Sequence, residues 1–369
     1  MASLKSLLIL SFLFCAGLHL SCLALQCIDP NGKPVDWFIV YKLPKLPGNK
    51  SNPILRDGLG HFYMDVNTPQ WKLSNISMAC SKHAIYNTLQ QIYSSKLSDG
   101  ILYLMYNDED PKGRPYLSSG HTKGVISFDK HTGFWLVHST PRFPPFKQDG
   151  YSWPESAKDF GQNFLCVTYN YKMLNTIGSM LVYNHPKFYD LNYTNDYLHD
   201  NPSLRDALQG TQLQVPPWTN KEELISSRGT KFVGFAKSRC FHKDLYEDYV
   251  APTLKGDLFV ETWRSNEPQG LASNCSKKYK VYNADFIKLP NGINFKETKD
   301  HSKWAVSQNA TYWVCIGDIN RQCHQEKRGG GTVCLQDKMV WQAYNDAVGG
   351  IVQCPQKAAP CVLKRKLHC

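Results

Sequence analysis

The sequence predicts a mixed α/β or α+β protein, because short apolar runs typical of strands alternate with a few stretches of helical periodicity. The apolar runs are rich in aromatic and β-branched residues and end at proline, glycine or clusters of polar residues. Of the 369 residues, 42% are hydrophobic and 20% are charged, which is ordinary for a globular protein and excludes wholesale disorder.

The first half of the chain contains five predicted strands and one predicted helix. Residues 81–95 place Ile85, Leu89 and Ile92 at spacings of four and three, which is typical of an amphipathic helix. The first strand-like run ends at Pro44, which cannot donate to a sheet ladder. The predicted strands are residues 36–43, 101–106, 122–128, 133–139 and 164–171.

The second half continues in the same style after residues 173–254, a stretch of proline and asparagine clusters that predicts one helix. We place a boundary in this stretch, which gives an N-terminal half over residues 25–190 and a C-terminal half over residues 191–369. The three glycines at 329–331 predict a turn. Further predicted strands are residues 258–263, 280–282, 286–289, 304–306, 312–316 and 332–335, followed by a predicted helix at 339–348.

Residues 1–24 predict a signal peptide. Lys5 is their only charged residue, an apolar run follows at 7–14, and the segment ends at Ala24 in a small-x-small pattern, so we expect cleavage after Ala24. A membrane anchor is the alternative, although this apolar run is short for a bilayer span and polar residues or proline interrupt every later run. We therefore expect a secreted-route protein without stable membrane association.

Cysteines and glycosylation motifs agree with an oxidising compartment. Eleven of the 13 cysteines follow the signal peptide and none forms a Cys-x-x-Cys pair, which favours disulfides over a zinc site. Because eleven is odd, we expect at least one thiol to be free or paired with another chain. Sequons, which predict N-glycosylation, occur at Asn49, Asn75, Asn192, Asn274 and Asn309.

The charge balance suits a polyanionic partner. Lys and Arg number 42 against 31 Asp and Glu, which gives a formal net charge of +11. The basic residues are spread along the chain and do not form a tail, so a soluble basic protein without any polyanion is the alternative.

A His-x-Lys unit occurs twice, 180 positions apart: His121 with Lys123, and His301 with Lys303. Each unit enters a strand-like run, and residues i and i+2 of a strand point to the same face. Each unit should therefore present an imidazole and an ammonium group to one side, with the residue between them pointing away. A solvated strand face is the alternative, since His-x-Lys arises readily by chance in a chain with 12 His and 42 Lys and Arg.

These residue types suit a phosphodiester substrate. Lysine supplies fixed positive charge to the phosphate oxygens, while histidine attacks phosphorus or transfers protons. Two such units facing each other would place a nucleophile and a general acid on opposite sides of phosphorus, and would need no metal ion or cofactor. The two units are nearly equivalent, so which histidine is the nucleophile stays open.

Longer sequence blocks around these units resemble the deoxyribonuclease II family, the acid DNases, from residue 26 to about residue 354. The fit is loose over residues 173–235 and in the C-terminal tail. One local departure is Ala305, where vertebrate members often have cysteine, and it leaves the catalytic positions intact. The matching blocks are residues 34–38, 120–124, 133–139, 151–154, 301–304, 315–321 and 328–332.

The resemblance implies a phospholipase D-like pseudo-dimer of two mixed-sheet halves that share one active-site cleft. It implies a metal-independent acid endodeoxyribonuclease that uses His121, Lys123, His301 and Lys303, forms a phosphohistidine, and leaves 3′-phosphate and 5′-hydroxyl ends. Such enzymes are typically lysosomal. The family disulfides map to Cys27–Cys166, Cys275–Cys354 and Cys315–Cys334, which leaves Cys80, Cys240, Cys323, Cys361 and Cys369 unassigned.

Three further residues are weaker candidates for substrate binding. His138 follows a strand-like run and matches a family histidine, so it either lines the cleft or is a core imidazole with a backbone partner. Asp318 and Asn320 follow a strand-like run near the second unit and could orient an imidazole or contact phosphate, although Gly-Asp-x-Asn is also an ordinary turn sequence.

Two other features are more typical of structural roles than of metal or substrate binding. The acidic run at residues 108–110 precedes Pro111, which favours a solvated turn over a metal site. The tryptophans at 37, 135, 153 and 304 could stack on bases, but their apolar surroundings are typical of core residues.

Two alternative functions use the same features. A phosphodiesterase acting on lipid headgroups would need the same pair of units, and a secreted non-catalytic DNA-binding protein would need only the basic surface. Our prediction is a DNA-cleaving enzyme, a monomer or a homodimer, that reaches the lysosome or is secreted.

Overall fold

Two large β-sheets, one from each half of the described chain, make up most of the molecule. The computed structural model describes residues 24–96, 100–264, 270–308 and 310–355. The signal peptide up to residue 23 therefore lies outside the described residues, and so do Asn309, Cys361 and Cys369.

The described residues form nineteen strands and seven α-helices, numbered in chain order and connected by turns, short 3-10 segments and one π-helical segment. The strands are β1 Cys27–Ile28, β2 Pro34–Val35, β3 Trp37–Lys42, β4 His61–Asp65, β5 Thr68–Leu73, β6 Leu102–Tyr106, β7 Gly124–Phe128, β8 Thr132–His138, β9 Gln162–Asn170, β10 Phe188–Asn192, β11 Thr219–Ile225, β12 Lys231–Lys237, β13 Leu258–Glu261, β14 Val281–Leu289, β15 Ile293–Lys296, β16 Trp304–Ser307, β17 Trp313–Gly317, β18 Gly330–Gln336 and β19 Val348–Ile351. The helices are α1 Pro53–Arg56, α2 Ala84–Tyr93, α3 Leu174–Asn184, α4 Asn195–Asp200, α5 Pro202–Leu208, α6 Ala251–Leu254 and α7 Lys338–Ala347. The mixed α/β class predicted from the sequence is confirmed.

The two sheets differ in strand direction. The first has eight strands in the order β10-β6-β7-β8-β9-β3-β4-β5, and all its neighbouring pairs are antiparallel. The second has nine, in the order β11-β12-β18-β17-β16-β13-β14-β15 with β19 beside β14, and its β13–β14 pair is parallel. Only the second sheet is therefore mixed. In the first, the antiparallel direction of β7 and β8 allows a short hairpin between them.

Five strands repeat the same arrangement in both sheets. The strands β6-β7-β8-β9-β3 lie side by side in the first sheet, and β13-β16-β17-β18-β12 do so in the second. In the first set β3 comes first in the chain, followed by β6, β7, β8 and β9. In the second set β12 comes first, followed by β13, β16, β17 and β18. Residues of the two halves can therefore be matched by register: Lys42 pairs with Gln162, as Lys237 pairs with Gly330.

The two sheets share an apolar core. Successive side chains of a strand point to opposite faces, and β3 illustrates this: Ile39 and Tyr41 pack in one cluster with Trp304 of the second sheet, whereas Phe38 and Val40 pack in another with the buried face of α2. A third cluster lies beneath α6 on the second sheet. Every residue of β3 is buried, as expected for a strand covered on both faces.

Helix α2 forms within the predicted segment and buries Ile85, Leu89 and Ile92 as the periodicity predicts. Residues 173–254 contain four α-helices, α3 to α6, together with strand β10 and the hairpin β11–β12, where the sequence predicts a single helix. Helices α4 and α5 are six and seven residues long, too short for helical periodicity to show in the sequence.

The predicted glycine turn is wrong for Gly330 and Gly331, which lie inside β18. A Cβ on Gly331 would lie 2.5 Å from the carbonyl oxygen of Phe235 on the neighbouring strand. Glycine is needed here for close packing and not for chain reversal. The predicted strands at 280–282 and 286–289 are likewise parts of the single strand β14.

All three disulfides implied by the family resemblance are present: Cys27–Cys166, Cys275–Cys354 and Cys315–Cys334. Cys240 and Cys323 are disulfide-bonded as well, and Cys80 is an exposed free thiol. Within the described residues, no helix is long and apolar enough to cross a bilayer.

Candidate active site

The two His-x-Lys units line a single pocket of about 380 Å³. His121 and Lys123 come just before β7, and His301 and Lys303 come just before β16. Because β7 and β16 are matching strands of the two sheets, the units enter the site from equivalent positions in the two halves. Residues that are 180 positions apart in sequence are thereby brought together.

The residue between each histidine and lysine points away from the pocket, as strand geometry predicts. Thr122 Oγ1 donates a hydrogen bond to the carboxylate of Asp318. Ser302 Oγ donates to the carboxylate of Asp300 at 2.7 Å. Both hydroxyls are buried, so these bonds satisfy polar groups that water cannot reach.

His121 is held through its backbone and one ring nitrogen. Its amide donates to the carbonyl oxygen of Gly329 at 2.8 Å, and its Nδ1 bonds to the main-chain carbonyl of Asp318. A carbonyl oxygen can only accept, so we assign the ring proton to Nδ1, which leaves the lone pair on Nε2. Glycine is needed at 329, because a Cβ there would lie 2.4 Å from the carbonyl oxygen of Asn184.

Asp108 lies at the edge of the pocket among positive groups. Its carboxylate accepts hydrogen bonds from Lys123 Nζ and, at 3.2 Å, from Arg328 Nη1, and it is 3.8 Å from Nε2 of His121. Burial alone would raise the pKa of Asp108, but Lys123, His121 and Arg328 together lower it well below its usual range. The interpretation of residues 108–110 as a solvated turn is therefore wrong for Asp108, because the bend folds this carboxylate onto the first unit.

His301 lies between two aromatic rings. Its ring centroid is 3.9 Å from that of Phe160 and 4.4 Å from that of Trp263. Its amide donates to the carbonyl oxygen of Gly161 at 2.9 Å. In the part of the chain that the structure describes, Nε2 of His301 has no hydrogen-bond partner. This nitrogen is therefore available to exchange a proton with a bound molecule.

Each unit is also held by a polar side chain of the other half. The amide of Lys123 donates to Oδ2 of Asp318 at 3.3 Å, and the amide of Lys303 donates to Oδ1 of Asn163 at 2.6 Å. Asp318 follows β17 in the second sheet, and Asn163 lies in β9 of the first. The geometry of each unit therefore depends on the packing of the two halves.

Burial among cations favours the neutral form of both histidines. Burial lowers the pKa of His301 to about 2, with Lys303 and Lys123 adding to the effect. Burial and Lys123 lower the pKa of His121 well below its ordinary value, although Asp108 opposes them. Burial also lowers the pKa of Lys303 to about 7, so its amine is charged in acid solution.

Of the three weaker candidates for substrate binding, one lines the pocket and two do not. His138 does not line the pocket: it is buried, its Nδ1 accepts from the amide of Thr140 at 3.2 Å, and its ring stacks on Phe164. Asn320 does line the pocket, and among the described residues its Oδ1 has no hydrogen-bond partner. Asp318 does not line the pocket. Its carboxylate accepts hydrogen bonds from Thr122 and from the amide of Lys123, and burial raises its pKa to about 6.

The pocket also contains residues that the sequence analysis missed, chiefly Asp108, Trp263 and Arg328. Nothing in the local sequence marks Trp263, whereas Arg328 begins one of the blocks that resemble the family. The four tryptophans considered earlier are buried in the core, as predicted. Among the residues described, no group of three or more His, Cys, Asp or Glu side chains is arranged to hold a metal ion.

Comparison with known proteins identifies relatives over nearly the whole chain. The family model for deoxyribonuclease II matches residues 26–354. Plancitoxin-1 of Acanthaster planci is 42% identical over 334 residues, which is 90% of this chain and 93% of the relative. Cell death-related nuclease 6 of Caenorhabditis elegans is 39% identical, covering 91% of each chain. Deoxyribonuclease-2-alpha of Mus musculus is 38% identical and covers 94% of this chain and 97% of its own.

Proposed function

The chain belongs to the deoxyribonuclease II family, and on that premise we propose that it cleaves DNA internally at acid pH through a phosphohistidine, without a divalent metal ion. A nuclease of this type takes DNA as its substrate. The observation that carries the finer proposal is the meeting of two His-x-Lys units in one pocket, with an imidazole and an ammonium group from each half. That set supplies both the positive charge and the proton transfers that phosphodiester hydrolysis requires.

Lys123 and Lys303 hold the non-bridging phosphate oxygens. In the free protein Lys123 is paired with Asp108, and Lys303 Nζ bonds to the carbonyl oxygen of His301 at 2.5 Å. Both lysine side chains are almost completely buried, so their charges act in a medium where they are weakly screened. The incoming phosphate adds an anion beside both ammonium groups, next to the carboxylates that already interact with them.

His121 is the nucleophile in this proposal, because the Nδ1–H bond to the Asp318 carbonyl fixes the tautomer that carries a lone pair on Nε2. Nε2 attacks phosphorus, the P–N bond forms, and the bond to the 5′ oxygen breaks on the opposite side. A protonated His301 gives its Nε2 proton to that oxygen, which leaves as a hydroxyl group.

The second step returns both histidines to their starting states. His301, now neutral, takes a proton from water, and the oxygen of that water forms a bond with phosphorus while the P–N bond to His121 breaks. The DNA end that was held by the enzyme leaves as a 3′-phosphate. The protein, and not the sugar, supplies the nucleophile, so no ribose 2′-hydroxyl group is needed.

The depressed pKa of His301 gives a physical reason for acid activity. A general acid must be protonated, and burial together with nearby lysines makes protonation of this ring unfavourable at neutral pH. Low pH and the negative charge of a bound phosphodiester both favour the imidazolium form. His121 has Asp108 at 3.8 Å but must stay neutral to attack, so the two rings require opposite protonation states.

The repeated strand order supports a phospholipase D-like pseudo-dimer, with halves over residues 25–190 and 191–369. Strand β10 pairs with the first sheet and ends at Asn192, so we move the proposed division from residue 190 to the end of that strand. The predicted signal peptide, the sequons and the disulfides support passage through the secretory pathway to the lysosome or the outside of the cell.

Plasmid cleavage tests this proposal most directly. At pH 5 the purified protein should nick supercoiled DNA equally well with and without EDTA, while His121→Asn and His301→Asn should be inactive although they are folded and secreted. Loss of activity in EDTA, or near-normal rates in both histidine variants, would contradict the mechanism. Cleavage of lipid headgroup esters without DNA cleavage would favour the lipid phosphodiesterase instead.

The ends of the products test the direction of cleavage. Fragments produced at pH 5 should accept a 5′ label directly from a polynucleotide kinase that lacks phosphatase activity, because their 5′ ends carry hydroxyl groups. A mock digest with His121→Asn controls for ends already present in the substrate. Fragments that require dephosphorylation before labelling would show that the other ester bond is cleaved.

A further inference from the structure

Two lysines outside the pocket occupy equivalent positions in the two halves. Lys42 ends β3 and Lys237 ends β12, and these strands pair in the same register with β9 and β18. Their side chains are 0% and 1% exposed, and neither lines the pocket. A buried ammonium group is unfavourable unless it is hydrogen-bonded, so the contacts of these lysines indicate what they do.

Lys42 Nζ forms hydrogen bonds with the main chain of one loop, residues 157–161. It donates to the carbonyl oxygens of Ala157, of Lys158 at 2.9 Å and of Phe160 at 2.7 Å. An ammonium group has three N–H donors, and three carbonyl oxygens of this loop accept them. The loop is thereby fixed to the end of β3.

Lys237 makes the same three contacts with the matching loop, residues 325–329. Its Nζ donates to the carbonyl oxygens of Gln325 at 3.0 Å, of Glu326 at 3.0 Å and of Arg328 at 2.6 Å. Each acceptor lies 168 positions after its counterpart in the first loop. Burial lowers the pKa of Lys237 to about 7, so in acid solution this amine carries all three protons.

Each loop holds the catalytic histidine of the other half. The residue after the last lysine-bound carbonyl is Gly161 in one loop and Gly329 in the other, and their carbonyl oxygens accept the backbone amides of His301 and His121. The first loop also stacks Phe160 on the ring of His301. The chain of contacts therefore runs from a buried ammonium group, through a loop, to an imidazole.

We propose that Lys42 and Lys237 are a duplicated pair of positioning residues, each of which fixes the loop that holds the active-site histidine of the opposite half. Lys42 positions His301, and Lys237 positions His121. The inference rests on the proposed function, since it assigns these lysines a role in placing the two rings against phosphorus. Their contribution is to kcat, because neither contacts the substrate pocket.

The first test replaces each lysine with methionine, which has a similar length and no N–H donor. On DNA at pH 5, Lys42→Met and Lys237→Met should each lose about 100-fold in kcat, with KM changed much less, since misplacement by about 1 Å is costly. The matched control is Ile85→Ala, which removes buried side-chain atoms from α2 and leaves both lysines unchanged. All variants are assayed well below their unfolding temperatures.

The second test separates the two histidines by chemistry. Thymidine 3′-(4-nitrophenyl phosphate) releases 4-nitrophenolate, a leaving group that needs no proton. Relative to wild type, Lys42→Met should therefore regain most of its rate in the first-turnover release of 4-nitrophenolate, which precedes the activation of water by His301, whereas Lys237→Met should remain slow. The reverse split would also support positioning and would exchange the roles of the two histidines.

Three results would overturn the inference: equal recovery of both lysine variants on the activated ester, recovery of neither, or rates on DNA equal to those of Ile85→Ala. If a methionine variant does not fold, Lys42→Gln and Lys237→Gln keep two N–H donors and provide the same comparison. His121→Asn and His301→Asn are run alongside. DNA cleavage by those variants would refute the proposed function itself, whereas their inactivity beside fully active lysine variants would refute only this inference.

Discussion

Lys123 and Lys303 are the same residue type in different electrostatic surroundings. Lys123 is paired with Asp108, whereas Lys303 bonds to a main-chain carbonyl and is the largest charged contribution to the low pKa of His301. In the proposed mechanism, loss of either ammonium group removes a contact to the phosphate. The consequences for proton transfer should nevertheless differ between the two.

Lys123→Ala and Lys303→Ala should each lower kcat/KM on DNA by roughly two to four orders of magnitude, the scale of a lost charged contact in the transition state. Removing a cation beside His301 also raises the pKa of that ring. The general acid then stays protonated to higher pH, so the alkaline limb of the pH–rate profile should move upward, and further for Lys303→Ala. A limb that stays in place or moves to lower pH would show that His301 is not the general acid.

At the residue scale, the sequence was informative where a pattern repeats and uninformative where a side chain acts alone. The spacing of the His-x-Lys units predicts which side chains point into the pocket and which point away. Asp108 and Trp263 carry no such pattern, because their positions depend on how the chain folds after β6 and β13. A single acidic or aromatic residue in a loop is compatible with many environments.

His83 links helix α2 to the pH of the solution. It is the N-cap residue of α2, its Nδ1 accepting from the amide of Tyr86 at 3.3 Å, and its Nε2 lies 3.2 Å from the carbonyl oxygen of Met78. His61 lies beside it, with a ring-centroid distance of 5.7 Å, and the Tyr151 hydroxyl is 3.2 Å from Nε2. Burial lowers the pKa of His83 to about 4.

Between pH 6.5 and 4 the unfolded chain therefore binds a proton at His83 that the folded chain does not, so this residue makes stability fall as the pH falls. His83→Asn keeps an N-cap acceptor and does not titrate. Chemical denaturation at pH 6.5 and pH 4 should show a stability loss on acidification that is smaller by about 3 kcal/mol in the variant. An unchanged pH dependence would mean that His83 is protonated in the folded protein.

At the element scale, the sequence predicts the helices and strands in which apolar residues repeat with the period of that element. It does not predict the segments in which this repeat is too short or is interrupted by glycine. Helices α2 and α7 fall within or next to their predicted ranges because each shows two or more turns of apolar spacing. The sequence predicts a turn at the glycines of β18, because it does not show that main-chain atoms of the neighbouring strand lie where a Cβ atom would be. That information belongs to tertiary packing.

The charge of the whole molecule should make DNA binding dependent on pH. Without its first 24 residues the chain has a formal charge of +10, and protonation of all eleven remaining histidines would raise it to +21. Burial lowers the pKa of eight of them, so the rise on acidification is smaller than this count implies. The eight are His61, His83, His121, His138, His185, His242, His301 and His324.

The inactive double variant His121→Asn/His301→Asn allows this affinity to be measured without cleavage. Its dissociation constant for duplex DNA should fall between pH 7 and pH 5 at fixed salt, and the dependence on salt should become steeper as more counterions are released. Titration by fluorescence anisotropy at several salt concentrations gives both quantities. Equal affinity and equal salt dependence at the two pH values would mean that no histidine near the DNA becomes charged.

At the scale of the whole molecule, the sequence predicts that two units meet but not how they are held. The contacts that complete each unit cross between the halves, as Asn163 does with Lys303 and Asp318 does with Lys123. Such contacts have no local signature, since the paired residues lie 140 and 195 positions apart. The repeated motif predicts the shared pocket, whereas the hydrogen bonds that connect the two halves are seen only in the folded structure.

Under the proposed mechanism, the crossed contacts also determine at which stage of biosynthesis the active site can be completed. His121 leaves the ribosome early, but the carbonyl oxygen that holds its amide belongs to Gly329, and Arg328 binds the carbonyl oxygen of Gly120 from 208 positions further along. A nascent chain that ends before this loop has one complete histidine–lysine sequence and no way to orient it. Under the proposed mechanism, translation products that stop before residue 329 should therefore be unable to cleave nucleic acids.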